Sequence, residues 1–251
     1  MNKFHAYCKV SISPIRSESK DQSEIISQLL FGELIKVHNI NKPWAKIQTL
    51  EDNYEGFIDY KHLNILNDEE FKKWSNNLSI LKTRECKLIS PWGIQRICRG
   101  SYISSDKLKF NIGKNNYQII ENIQCNFKTV WEYATDYINT PYLWGGKSPF
   151  GIDCSGMIQI IFRIFNINLP RDAAEQHKIG KIINLDEIAS GDLAFFKNKK
   201  EEIIHVGICN KNRDIIHASG QVKKDKLTNN GIIDIESNSL THKLACIKRI
   251  T

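Results

Sequence analysis

The chain has 251 residues, 41% of them hydrophobic and 25% charged, a balance that supports packed cores and excludes a disordered or fibrous chain. No apolar run reaches the roughly 20 residues that span a bilayer, and the start MNKFHAYCKVSISP lacks the apolar stretch, about 7–15 residues, of a secretory signal; a cytoplasmic protein is expected, or a secreted or periplasmic one if a leader has been removed. The net charge of +7 is scattered, its longest cationic runs being broken by Asn198 and Asp225, which argues for solvated turns and against a nucleic-acid partner; no membrane partner is expected either.

The first half reads as short strands. LLFGELIKVHNI, WAKIQTL and YEGFIDY, between residues 29 and 60, alternate apolar and polar positions and are separated by Asn, Lys, Pro and Asp turn residues. Leu34, Val37, Trp44, Ile47, Phe57 and Ile58 are candidates to fill a small barrel. The polar stretch NILNDEEFKKWSNN (64–77) reads as a short helix or linker, and a second β-rich stretch follows from Leu81 to Ile123. Two small β-barrels, over 1–65 and 81–126 with a linker at 66–80, are the simplest account.

From residue 127 the texture changes. Val130, Tyr133, Ala134, Tyr137 and Ile138 are spaced as one helix face, ended by Pro141. The loop TPYLWGGKSPFGI then leads to Asp153, a good N-cap type, and Cys154. Beyond it Met157, Ile160, Ile161 and Ile164, widened by Ile158, Phe162 and Phe165, predict a helix buried on most sides. After Arg171 and Asp172 come strand-like pieces: GDLAFF, EEIIHVGICN, RDIIHASG, GIIDIES and LACIKRI. The expected architecture over 127–251 is α+β, with a helix presenting a cysteine against an antiparallel sheet presenting histidines, resembling papain in its catalytic layout.

That arrangement makes Cys154 a candidate nucleophile. Backbone N–H groups at a helix start favour thiolate, and a histidine in reach can hold the thiol proton while a third polar group fixes its tautomer. If EEIIHVGIC and DIIHASG form a hairpin centred on Lys211, His205 stands directly opposite His217 on one sheet face. Gly207 then leaves room on that face, and Ile204, Val206 and Ile208 point into the core. His5, His38, His62, His177 and His242 have no such context. A Cys-His-His metal site is the rival reading, but no fourth ligand stands at recognisable spacing. The seven cysteines, Cys8, Cys86, Cys98, Cys125, Cys154, Cys209 and Cys246, include no C-x-x-C pair, which suits a reducing compartment better than a disulfide framework.

At these residues the chain closely resembles the NlpC-type family of bacterial cell-wall cysteine peptidases. PYLWGG, GIDCSG, LPRDAAEQ, GDLAFF, HVGI and IIHASG run in family order over 127–251. The first half is similar, more loosely, to the bacterial SH3-like domains that precede such catalytic domains, through SEIISQLLFGE and YEGFIDY. The resemblance implies Cys154 as nucleophile, His205 as general base and His217 as its orienting residue. The backbone around the cysteine, with Tyr142, would steady the oxyanion.

The triplet Arg171-Asp172-Ala173 resembles a narrower branch, the γ-D-glutamyl-diamino acid endopeptidases. There the aspartate, here Asp172, pairs with the free α-amine of a terminal L-alanine. Ser155, Ser219 and Gly220 would line the same pocket. Glu24 and Tyr54 of the first SH3-like domain are the positions nominated to close its amine end. The implied function is hydrolysis of the γ-D-glutamyl bond to meso-diaminopimelate or L-lysine in muropeptides with a free N-terminal L-alanine, in cell-wall peptide recycling. The enzyme would be a monomer with no metal or organic cofactor. Two other functions fit less well: a secreted hydrolase of intact peptidoglycan, and a non-catalytic peptide- or wall-binding module.

Overall fold

The computed structural model describes residues 4–122 and 125–250, with Asn122 described by its backbone alone; Ile123, the end of the second β-rich stretch, lies outside them. The chain divides into two compact units, 1–125 with 147–149, and 126–146 with 150–251. No helix among the described residues is long and apolar enough to cross a membrane.

In the first unit a seven-stranded antiparallel sheet runs from edge to edge as Ile25–Leu30, Ile12–Arg16, Glu55–Asp59, Trp44–Thr49, Leu34–Asn41, Phe4–Cys8 and Leu63–Leu66. The alternation in the sequence is what builds it. Val37, Ile47 and Ile58 face inward from successive strands and join Ala6, Ile15 and Ile35 in one fully buried cluster, as period-two patterning requires. Trp44 and Phe57 are only half-buried, and Leu34 turns to a different cluster.

The stretch 64–77 resolves into a helix, Asp68–Ser75, started by a reciprocal capping box between Asn67 and Glu70. The helix is tied to the sheet by Trp74, whose indole N–H donates to the Gly32 carbonyl at 3.0 Å.

The expectation of two barrels is not met. Among the described residues, 78–122 form a four-stranded sheet, Gly93–Cys98, Glu85–Ser90, Asn115–Asn122 and Lys109–Ile112, and a two-stranded ribbon, Tyr102–Ser104 with Leu78–Ile80. The reason lies in the core. Leu88, Ile97, Phe110, Ile112 and Tyr117 pack in one cluster with Tyr7 and Leu34 of the first sheet, Phe31 of the turn between two of its strands and Trp74 of the helix. A sheet that buries its apolar face against its neighbour has no face left to close on itself.

The closed sheet is instead in the second unit. Its strands run in the order Lys181–Ile183, Ser239–Arg249, Leu193–Lys197, Ile203–Cys209, Asp214–Ser219, Gln221–Leu227 and Gly231–Asp234. Gly231–Asp234 also pairs back onto the 11-residue strand Ser239–Arg249 and closes the ring. Ala194, Phe196, Cys209, Ile215, Leu227, Ile232 and Ile247 fill one buried cluster. Three helices, Val130–Asp136, Cys154–Ile164 and Ala173–Gln176, pack against the strand Ile203–Cys209. The unit is α+β.

Candidate active site

The helix Cys154–Ile164 is buried at every residue, as its nearly continuous apolar stripe predicts. It starts where it does because Asp153 caps it: the carboxylate accepts the Gly156 N–H at 2.7 Å and the Gly145 N–H at 2.9 Å. Asp153 is itself held by an ion pair with Arg171, both side chains being almost wholly buried. Arg171 also donates to Ser155 Oγ at 2.9 Å. The nucleophile's turn is therefore clamped from below by a buried Asp–Arg pair, a contact between residues 18 positions apart that the sequence did not reveal.

Cys154 is itself buried, at 6% exposure. Burial first, and then the Asp153 carboxylate, push its thiol up to about 11, against the backbone N–H groups of Val206 and Ser155 and the Arg171 guanidinium, which pull it down. The expectation of a thiolate at the helix start is thus not met in the resting protein. Desolvation and an adjacent carboxylate outweigh the helix terminus. The Val206 contact sets the sulfur beside the residue that follows His205.

His205, at 6% exposure, and the fully buried His217 share one face of the sheet, as their parity in sequence predicts. The register differs by two residues. His217 lies opposite Gly207, with Ile208 opposite Ile216 and Cys209 opposite Ile215. The Asn210 side chain accepts the N–H groups of both Asn212 and Asp214, and Arg213 takes a positive φ of 59°, so the reversal is longer than a turn centred on Lys211. His205 therefore reaches His217 diagonally, over Gly207. A Cβ on that glycine would stand 3.0 Å from the His217 Cβ and 2.7 Å from Ile215 Cδ1. Ile204 is exposed instead of buried, because the pairing with Leu193–Lys197 skips it as a bulge.

The two rings are hydrogen-bonded, His205 Nε2 to His217 Nδ1 at 2.9 Å, and His217 Nε2 is 2.9 Å from the Asp225 carboxylate. Burial works to raise the Asp225 carboxyl. The hydrogen bonds from His217, the Ile235 N–H at 3.0 Å and Lys223 outweigh it and hold the group below its usual range. An ionised Asp225 accepts the His217 Nε2–H. With one ring proton, which Asp225 holds on Nε2, His217 presents a lone pair at Nδ1 and accepts the His205 Nε2–H, which leaves His205 Nδ1 unprotonated. Burial and the neighbouring His217 and His242 keep His205 well below the ordinary imidazole range, so it is neutral. Among the described residues no hydrogen bond joins the Cys154 thiol to His205; catalytic hydrogen bonds are often formed only once substrate is bound.

His242 is not incidental. Its ring stacks on His205 with centroids 4.3 Å apart at 24°, and meets His217 edge-on at 5.5 Å. Closure of the ring brings it there, since its strand, Ser239–Arg249, pairs with both Leu193–Lys197 and Gly231–Asp234. Asp225 had a faint signal: in Lys224-Asp225-Lys226-Leu227 the alternation puts it on the inward side with Leu227.

Of the other candidates, Tyr142 is half-buried and is raised to about 12, by burial and by Cys154 and Asp153 beside it. Its backbone N–H donates to the Gly220 carbonyl at 2.9 Å, so Tyr142 and Gly220 meet. Gly220 has a φ of +71°, and Ser219 ends the His217 strand. The Ser155 hydroxyl is occupied by Arg171 and Asp153. Asp172 is exposed and stands at the N-cap position of the helix Ala173–Gln176. Glu24 is exposed and Tyr54 half-buried, both in the first unit.

Residues 139–237 match the NlpC/P60 family, and residues 15–63 match the bacterial dipeptidyl-peptidase Sh3 domain. A γ-D-glutamyl-L-lysine dipeptidyl-peptidase of Bacillus subtilis is 47% identical over 29% of this chain and 25% of its own length. One of Bacillus cereus with the same name is 26% identical over 78% of this chain and 68% of its own. The bifunctional muramidase/DL-endopeptidase CwlT of Bacillus subtilis is 46% identical over 33% of this chain and 26% of its own. The chain thus spans only about a quarter of two of these relatives. A crystal structure of an NlpC/P60 family protein from Bacillus cereus superposes with a TM-score of 0.76 at 19% identity, covering 98% of this chain and 99% of that one, which establishes the fold.

Proposed function

From the premise that this chain is an NlpC/P60-family cysteine peptidase with an SH3-like domain ahead of its catalytic unit, we propose that it hydrolyses the bond between γ-D-glutamate and a diamino acid in the stem peptides of peptidoglycan. The observation that carries the reading is the Cys154 thiol at the head of a buried helix, set beside the strand of a histidine whose partners, His217 and Asp225, leave one ring nitrogen unprotonated.

In this reading the thiol and His205 rest neutral. Substrate binding brings the sulfur to His205 Nδ1. The proton passes to that nitrogen as sulfur attacks the carbonyl carbon, and the imidazolium is steadied through His217 by Asp225. The oxyanion takes N–H groups at the helix start and the Tyr142 hydroxyl. His205 then returns the proton to the leaving amine, and water hydrolyses the thioester by the same route.

Two substrate forms are open to this chemistry. The muramidase/DL-endopeptidase name of CwlT favours the polymeric wall, and in that case this enzyme would work outside the cytoplasm. The dipeptidyl-peptidase names, and Asp172 directly after the buried Arg171, favour a freed peptide whose α-amine pairs with Asp172, a recycling role inside the cell. Ser219 and Gly220 line the pocket in either case. Mass spectrometry of products from L-Ala-γ-D-Glu-diaminopimelate, its N-acetylated form and purified peptidoglycan is the deciding experiment. Cleavage of free tripeptide alone assigns recycling, and cleavage of acetylated peptide or wall assigns wall hydrolysis. No cleavage of any of the three would sink the proposal, as would full activity in Cys154→Ala.

A further inference from the structure

Among the described residues His205, His217 and His242 each offer one ring nitrogen, and the three atoms lie within 4.8 Å of one another. Two of them are already presented as ligands. His217 gives its Nε2–H to Asp225, which leaves Nδ1 as a lone pair; a carboxylate behind a ligating imidazole is the usual outer partner of a bound metal. His242 Nδ1 is 2.9 Å from Thr241 Oγ1, whose own proton is directed at the Ile232 carbonyl 3.4 Å away; with the hydroxyl proton so placed, Oγ1 accepts from Nδ1 and the His242 lone pair is on Nε2. His242 is half-buried and gives an ion a route from solvent.

We propose that His205, His217 and His242 form a site for a divalent transition-metal ion of the zinc class, and that the ion inhibits the peptidase. The inhibition rests on the catalytic reading above; the binding does not.

The fit follows from distances. Zinc takes imidazole nitrogen at about 2.0–2.1 Å, so nitrogens at tetrahedral corners stand about 3.3 Å apart. The His205–His217 pair, at 2.9 Å, opens by a few tenths of an ångström, and the more accessible His242 ring turns inward. Water completes the fourth position. His205 must then offer the metal its Nε2, so the proton of that nitrogen moves to Nδ1. No proton is gained or lost by the ring, but the nitrogen that should accept the thiol proton now carries one. The base is locked in the wrong tautomer without any contact between the ion and Cys154.

The binding is tested on the full-length Cys154→Ala protein by titration with cobalt(II), read as visible absorption. One ion per chain with a tetrahedral nitrogen-type spectrum is expected. His242→Gln should weaken binding by at least the about 10–100-fold that loss of an outer partner costs, and His242→Cys, which returns a ligand, should restore it. Absence of binding, indifference to His242, or a cobalt spectrum that the wild type shows and Cys154→Ala lacks would each overturn the site. In the wild type, zinc should abolish peptide cleavage and a chelator should restore it. Undiminished cleavage at saturating zinc overturns the inhibition. If no peptide is cleaved by the wild type while Cys154→Ala binds cobalt through His242, the catalytic reading falls and the metal site stands.

Discussion

The imidazole of His217 donates from Nε2 to the Asp225 carboxylate at 2.9 Å, and both side chains are almost fully buried. Through that bond a residue outside the recognised motifs decides which nitrogen of His205, one ring further on, carries the proton.

Asp225→Asn removes the charge and lets the amide present either a donor or an acceptor, so His217 loses its fixed tautomer. We expect kcat/KM to fall by about 10²–10⁴ with KM little changed, the scale seen when an orienting aspartate is neutralised in other triads. Steady-state kinetics on the preferred peptide, with circular dichroism to confirm folding, checks it. Unaltered kcat would mean that His217 needs no partner.

The thiol, pushed up to about 11 mainly by burial, should be protonated at neutral pH in the free enzyme. The sign is direct: a raised thiol pKa means that reactivity with iodoacetamide climbs through the alkaline range and does not level off below pH 8. Alkylation of Cys154 followed by mass spectrometry across pH 5–11 reads this out. A plateau already reached at pH 6 would restore the ion-pair resting state that the helix start by itself suggests.

Arg171 and Asp153 form a buried pair, so removing one partner strands the other charge. Arg171→Met should cost about 3–5 kcal/mol of stability, the range for breaking a buried ion pair. Urea denaturation of the whole protein measures it, with attention to whether the second unit unfolds separately. A midpoint shared with the wild type would show that the guanidinium is replaceable by packing.

Gly207 lies opposite His217 because a side chain there would press on both Ile215 and the His217 Cβ. Ile215 Cδ1 can swing aside, but the His217 Cβ cannot. Gly207→Ala should therefore lower kcat by about tenfold or more through misplacement of the relay, since displacements near 1 Å cost up to about 100-fold. The thermal midpoint should move little. The reverse pattern, lost stability with normal kcat, would assign the glycine to packing alone.

Local patterns carried much of this protein. The helix from Cys154 was legible because its apolar stripe and its Asp153 cap are set by residues within one turn of each other. That His205 and His217 share a face was legible because side chains alternate along a strand whatever its partner does. Their register was not, because Asn210 reshapes the reversal. The second barrel was wrongly expected for a related reason. Alternation says that a strand has an apolar face, and only packing says whether that face closes on itself or meets Tyr7, Phe31 and Leu34.

What the sequence determined alone is the chemistry available: a thiol at a capped helix start and two imidazoles on one face, both fixed by short-range periodicity. The tertiary structure decided which groups meet those three. Arg171, Asp225 and His242 arrive from a buried ion pair, a neighbouring strand and the closure of the ring. Such contacts depend on how elements stack in space, and no local spacing encodes that.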